Sequence, residues 1–203
     1  MRVKVIFWTG IGALCLYIAV FVYKPARHHP AGQIAPLPPL QNNREHGTTF
    51  EFKGYTFQPL AQFAIQARVL STKTYWFDGG SKICPIDLAL GWGPMSDSSV
   101  VAKLDISQNG RWYEYYWSNN PPIDPSIIAT HSANMHMIPS TPEIRKKLLL
   151  IHRGDIIEII GCLVQISGPD GYKWRSSTSR TDTDGGACEV VYVESLEINP
   201  KHD

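Results

Sequence analysis

Hydrophobic and polar positions change their pattern twice along this chain. Val5 to Tyr23 is a run of 19 residues without a charge. As a helix it would reach roughly 28 Å, close to the apolar thickness of a bilayer. The pattern predicts a transmembrane anchor over residues 5–23, preceded by a short basic tail at residues 1–4. Trp8, Tyr17 and Tyr23 fall toward its ends, where amphipathic rings prefer the interface. No small-x-small pair follows the apolar run, so it reads as an uncleaved signal anchor and not as a leader removed from the mature chain. Arg2 and Lys4 before the run balance Lys24 and Arg27 after it. The short basic tail favours a cytoplasmic N-terminus, with the rest of the chain outside.

Residues 24–49 carry five prolines. Proline lacks the backbone donor and fixes φ, which forbids a helix interior and favours an extended, semi-rigid linker. A docking strip presenting Pro36, Pro38 and Pro39 to an aromatic groove is the other use of such a segment.

From Phe50 to Asp203 the period of two dominates, which predicts strands. Phe50 to Phe57 alternates around a Lys53-Gly54 hairpin turn. Phe63, Ile65, Ala67 and Val69 share one face of a strand. Further strands are expected over Arg111–Trp117, Asp155–Ser167 with a bend at Gly161, Tyr172–Ser177 and Glu189–Ile198. Thr141-Pro142-Glu143 supplies an N-cap, a proline at N1 and an acid in the first turn of a helix ending at Arg153-Gly154. Asp97 caps a shorter helix over Ser98–Leu104. The expected fold class is therefore mainly β, a β-rich α+β domain. The order helix, long bent strand, hairpin, strand suggests a small barrel, resembling the OB type, with one or two short helices. The organisation is tail 1–4, anchor 5–23, linker 24–49 and β-barrel-like ectodomain 50–203.

Charge narrows the partners. Residues 50–203 hold 14 Lys and Arg against 17 Asp and Glu. Such a near-neutral, slightly acidic domain has no electrostatic footprint for phosphate backbones, so nucleic acid is not an expected partner. Cysteines add little. Cys15 lies in the apolar run and Cys162 in an apolar strand pattern. Cys84 and Cys188 fall in loop contexts and form the disulfide candidate, with two separate thiols equally compatible with the spacing.

Several phrases carry a family resemblance. They are Pro85 to Asp97 (PIDLALGWGPMSD), Ile106-Ser-Gln, Arg111-Trp-Tyr, His131 to Pro139 (HSANMHMIP), Trp174-Arg-Ser-Ser, Asp182-Thr183 and Cys188-Glu189. Together they resemble an uncharacterised family of single-pass, membrane-anchored bacterial proteins. The resemblance implies an inner-membrane location with the C-terminal domain in the periplasm. It implies no activity, and no residue takes a role from it.

Candidate chemistry is sparse. His131 and His136 stand five positions apart. On a strand their side chains point to opposite faces, and on a helix they diverge by about 140°. Only an irregular loop joins them at one metal, whereas one buried and one solvated histidine need no special geometry. Asp182 and Asp184 alternate before Gly185 as in a calcium loop, but Val193 stands where the bidentate acid belongs. They are weak metal candidates, and a flexible hairpin loop with glycine supplying positive φ is the favoured reading. No adjacent base activates Cys84.

The aromatic segment is more informative. Trp112, Glu114 and Tyr116 share one strand face; Tyr113, Tyr115 and Trp117 share the other. One face must meet the core, and the second meets another layer or a ligand. With Arg111 and the glycine-flanked Trp92 loop, these residues form the expected binding surface.

Taken together, the sequence favours a non-enzymatic, membrane-tethered envelope module acting as a binding or assembly accessory. It would engage an envelope protein or a saccharide or peptide ligand, with no cofactor. The alternative is an envelope hydrolase or metal-dependent enzyme using His131 or His136 with an acid such as Asp155 or Asp182.

Overall fold

The computed structural model describes residues 26–43, 48–179 and 188–200. Strand β3 (Tyr55–Thr74) organises it. Its apolar positions alternate along most of its 20 residues, which lets it serve partners on both edges. One edge pairs with β8 (Ile156–Ser167) from Thr56 to Arg68. The other edge takes β2 (Phe50–Phe52), β1 (Leu40–Asn43) and β4 (Ile86–Gly91) in succession. The β2–β3 turn is the expected two-residue hairpin, with Lys53 and Gly54 both at positive φ (52° and 81°).

From β4 the sheet continues to β7 (Ser132–Pro139), then to β10 (Glu189–Ile198), β8 and β9 (Lys173–Arg175). The β7–β10 pair is parallel, so it needs a long crossover. That crossover carries the helix α3 (Pro142–Leu149) as well as β8 and β9. Thr141 caps α3 as its sequence predicts, its hydroxyl accepting from Ile144 N at 3.2 Å. Ile144 and Leu148 on its inner side join the main core beside Phe63, Leu88, Met137 and Val191. The helix α1 (Ser98–Val101) is shorter than the expected Ser98–Leu104, with Asp97 accepting from Ser99 N at 2.7 Å. Helix α2 (Pro125–Thr130) was not foreseen. A separate hairpin, β5 (Asp105–Asn109) with β6 (Trp112–Tyr116), stands beside the large sheet.

Three sequence expectations are corrected here. The ladders β3–β4–β7–β10–β8 lead back to β3, but β1, β2 and β9 extend the sheet and leave free edges. The small OB-like barrel therefore gives way to a mixed eight-stranded sheet that is not a closed barrel. The α-helices among the described residues number three, not one or two. The expected tail and anchor at residues 1–23 lie outside the described residues. Among those described, no helix is long and apolar enough to cross a membrane. The longest, α3, has eight residues and spans about 12 Å, well short of the roughly 30 Å of a bilayer core. The transmembrane helix, the membrane as partner and the inner-membrane, periplasmic location thus find no support in the described chain.

The described part of the proline-rich segment lies against the domain. Arg27 N donates to Arg153 O at 2.7 Å, and its guanidinium pairs with buried Asp155. Ala35, fully buried, donates to Ser96 Oγ at 3.1 Å and accepts from Gly93 N at 2.8 Å. Leu40 to Asn43 then pair with β3 as β1.

Candidate metal centre

β4 and β7 are buried almost throughout. Each nonetheless places a polar side chain in its interior, and the antiparallel register sets Asp87 directly opposite His136. Asp87 is fully buried and His136 is 3% exposed. Cys84, fully buried, stands in the turn that enters β4, where its N–H donates to Gly80 O at 2.8 Å. One ligand atom from each of Cys84, Asp87 and His136 falls within 4.8 Å of the other two.

The separations suit a metal ion. His136 Nδ1 lies 3.0 Å from Asp87 Oδ1, and Cys84 Sγ lies 3.5 Å from the same oxygen. A tetrahedral zinc ion at ordinary bond lengths sets N and O roughly 3.3 Å apart and S and O roughly 3.5 Å apart. His136 Nδ1 is close to Asp87 Oδ1 but out of line for a hydrogen bond. Both Nδ1 and Asp87 Oδ2 are buried with no hydrogen-bond partner. Buried polar atoms are rarely left this way, because each loses its hydration without compensation.

Arg111 closes the cluster from one side. It follows Gly110 in the β5–β6 turn, both at positive φ (55° and 73°). Its backbone is pinned: N donates to Tyr75 Oη at 3.1 Å, and O accepts from Asn134 Nδ2 at 3.0 Å. Its guanidinium donates to Asp87 Oδ1 at 2.7 Å, Cys84 Sγ at 3.1 Å and Cys84 O at 3.0 Å. It also forks onto Asp78 at 2.8 and 2.9 Å. The plane lies over the Tyr75 ring at 3.9 Å.

Electrostatics follow from this packing. Burial, then the Asp87 charge, pushes the Cys84 thiol well above its usual pKa despite Arg111. The sulfur is therefore a thiol at neutral pH and no nucleophile on its own. Burial works against the Arg111 charge, but hydrogen bonding to Asp78 and the charges of Cys84, Asp87 and Asp78 hold it above its normal range. Burial and the Asp87 charge push Tyr75 up to about 12. One guanidinium thus faces two carboxylates.

A cleft of about 480 Å³ adjoins the cluster. His136 and Arg111 line it together with Trp112, Tyr172, Trp174 and Cys188. The Trp174 ring lies 4.7 Å from the His136 imidazole. The centre is thereby joined to a surface opening through two of its own residues.

The other residues singled out in the sequence are placed as follows. His131 ends α2, its Nδ1 3.0 Å from Ile127 O, and does not meet His136. Asp155 is buried under Arg27, accepts from His152 N at 2.8 Å and Asn199 Nδ2 at 3.1 Å, and stands apart from either histidine's site. Asp182 and Asp184 lie outside the described residues. Trp92 is 2% exposed within the main core. Tyr113, Tyr115 and Trp117 pack on a third core cluster, while Trp112 and Tyr116 face out. Cys84 and Cys188 are thiols, not joined by a disulfide. Sequence reasoning missed Asp87 and the partnership of Cys84 and Arg111 with it.

No protein-family model, no curated protein and no solved structure matches the chain. The resemblance to an uncharacterised membrane-anchored bacterial family is corrected accordingly. The accessory-module reading changes with it. A buried Cys84–Asp87–His136 set able to hold a metal is not what a tethered, non-enzymatic barrel requires. It favours the alternative, a metal-dependent enzyme using His136, over the absence of enzymatic activity.

Proposed function

We propose that this domain is a metal-dependent enzyme of the hydrolytic type, with zinc held by Cys84, Asp87 and His136. The observation that carries the proposal is the pair of buried ligand atoms without a hydrogen-bond partner among the described residues, Asp87 Oδ2 and His136 Nδ1, inside a cluster whose ligand atoms lie within 4.8 Å of one another. Three protein ligands leave a fourth position for water, the arrangement of catalytic zinc sites. Asp87 would meet an ion through its carboxylate, of which Oδ1 also accepts from Arg111. A thiolate, a carboxylate and a neutral imidazole suit zinc by charge and softness. When bound, the ion would supply a Lewis acid and an activated water. The chain's own contribution is to keep the ligands dry and to open the centre to the cleft at His136. Trp174 fixes the imidazole plane, and Tyr172, Lys173 and Arg175 stand along the cleft wall to contact a substrate.

The test is metal content of the purified full chain, followed by cobalt substitution. One ion per chain is expected, with a thiolate-to-cobalt charge-transfer band that Cys84→Ser abolishes and His136→Ala weakens. Zinc-dependent turnover of an ester or phosphoester panel, lost in His136→Ala, assigns the catalysis. A folded chain that takes up neither metal at the ligand set overturns the proposal.

A further inference from the structure

Away from the metal cluster, a second cleft of about 470 Å³ lies where the proline-rich segment crosses the domain. Its lining includes Arg27, His28, His29, Arg68, Ser98 and Arg153. The concentration of basic groups comes from three separate stretches of chain. It is not a charge run on one surface.

Arg68 is the decisive member. It is 7% exposed, yet no carboxylate among the described residues lies within ion-pair distance of it. Its Nη1 donates to Ser96 O at 3.1 Å and Ser98 Oγ at 2.9 Å. Its Nε is buried with no hydrogen-bond partner among the described residues. Burying a guanidinium without a counter-charge costs several kcal/mol, so arginine is almost never found so deep unless paired. Nearby acids are already engaged. Asp97 Oδ1 accepts from Gly32 N at 3.1 Å, Ser99 N at 2.7 Å and Ser99 Oγ at 2.8 Å. Asp155 takes Arg27, Asn199 and the His152 backbone. Arg153 is exposed at the rim and adds to the positive charge felt by Arg68, where burial and Arg153 together outweigh the attraction of Asp97. His29 donates Nε2–H to Gly154 O at 2.7 Å, which fixes the floor of the cleft.

We infer that this cleft is a binding site for a small phosphate-class oxyanion, gripped by Arg68 and Arg153 with Ser98 as an additional donor. A tetrahedral oxyanion supplies what the buried guanidinium lacks. It brings a compensating charge, with oxygens arranged for the fork of an arginine. The site is independent of the metal centre and draws on none of its residues.

The test is calorimetric titration of the full chain with inorganic phosphate and, separately, with α-glycerophosphate, in the presence of a chelator so that no metal contributes. Saturable binding of one anion per chain is expected. Preference for α-glycerophosphate assigns a phosphomonoester as occupant, and preference for inorganic phosphate assigns the free ion. Arg153→Ala, at an exposed position, should weaken binding roughly tenfold, as loss of a charge-assisted hydrogen bond does. Arg68→Lys, which keeps the charge but removes the fork, should weaken it as well, with thermal unfolding used to confirm that the variant folds. Absence of saturable binding of either anion, or equal affinity in wild type and folded Arg153→Ala, overturns the inference.

Discussion

Replacing Arg111 by Met removes the cation that neutralises Asp87 while keeping a side chain long enough to lie on Tyr75. Arg111 Nη1 is 2.7 Å from Asp87 Oδ1, and the two side chains are 17% and 0% exposed. With charge centres about 4 Å apart and an effective dielectric of about 20, their attraction is about 4 kcal/mol. Breaking a buried pair by removing one partner costs about 3–5 kcal/mol, because the remaining charge is stranded. Against a typical total stability of about 5–15 kcal/mol, that loss is large. Urea unfolding at neutral pH without metal should show it as a lower midpoint at unchanged slope. Asp87→Asn should destabilise as well, but the double variant should lose about 1–3 kcal/mol less than the sum of the two, since the stranded charge is gone. Zinc supplies a second readout of opposite sign. Arg111→Met removes a positive charge from beside two ligands, so its zinc affinity should rise while its metal-free stability falls. Additive losses in the cycle, or a single-variant loss below about 1 kcal/mol, would refute the assignment of Arg111 as the counter-charge of Asp87. Zinc binding unchanged in Arg111→Met would refute the electrostatic coupling.

Three further outcomes test the fold and the rim of the site. Hydrogen bonds from Arg111 hold the Asp78 carboxyl below the usual carboxylate range. A depressed folded-state pKa contributes stability above the unfolded value of about 3.9, and that contribution is lost as pH falls through the folded value. Asp78→Asn should therefore be less stable than wild type at pH 7, with the gap closing in acid below about pH 4, read from urea midpoints. Met137→Ala removes a fully buried side chain from the main core. It should cost about 2–5 kcal/mol, and a smaller loss would mean that the core closes over the gap. Gly161→Ala brings a methyl group onto the Tyr192 carbonyl oxygen in the neighbouring β10. Backbone there cannot move aside cheaply, so the variant should unfold at lower temperature or fail to accumulate as folded chain. Wild-type melting would place that contact elsewhere.

Local chemistry made the helix caps and the β2–β3 hairpin legible. Thr141 and Asp97 cap helices because each short side chain reaches a backbone donor two or three residues on. The alternation at Phe63–Val69 and Glu189–Ile198 located the strands that carry one face of the core. What was lost is non-local. β7 did carry a local signal, Ser132, Asn134 and His136 alternating with Ala133, Met135 and Met137, but the two histidines drew the segment toward an irregular loop. β4, Ile86–Gly91, is the strand that local pattern hides: it is buried at every position, and a strand buried on both sides shows no period of two. The proline-rich segment reads as a spacer because nothing in its composition reveals the buried acid under Arg27 or the pocket that takes Ala35.

The site was half visible for the same reason. His136 was a candidate on residue type alone, and its neighbour along the chain, His131, drew attention away from the partner across the sheet. The available signal was Asp87 itself. A single acid inside Pro85-Ile-Asp-Leu-Ala-Leu90 interrupts an apolar run that is otherwise suited to a fully buried strand. A carboxylate is almost never fully buried unless a cation accompanies it. Burial of that strand therefore demands a partner for Asp87, although only strand register can name it. The register pairs Asp87 with His136, the preceding turn adds Cys84, and the β5–β6 turn adds Arg111. Arg111 answers the charge of Asp87 through one oxygen alone, leaving Oδ2 without a hydrogen-bond partner among the described residues, while the facing His136 Nδ1 meets Oδ1 at 3.0 Å outside hydrogen-bond geometry. A site built only for structural pairing would satisfy both oxygens, and the orphaned Oδ2 is what supports the proposed ligand set over a plain buried ion pair.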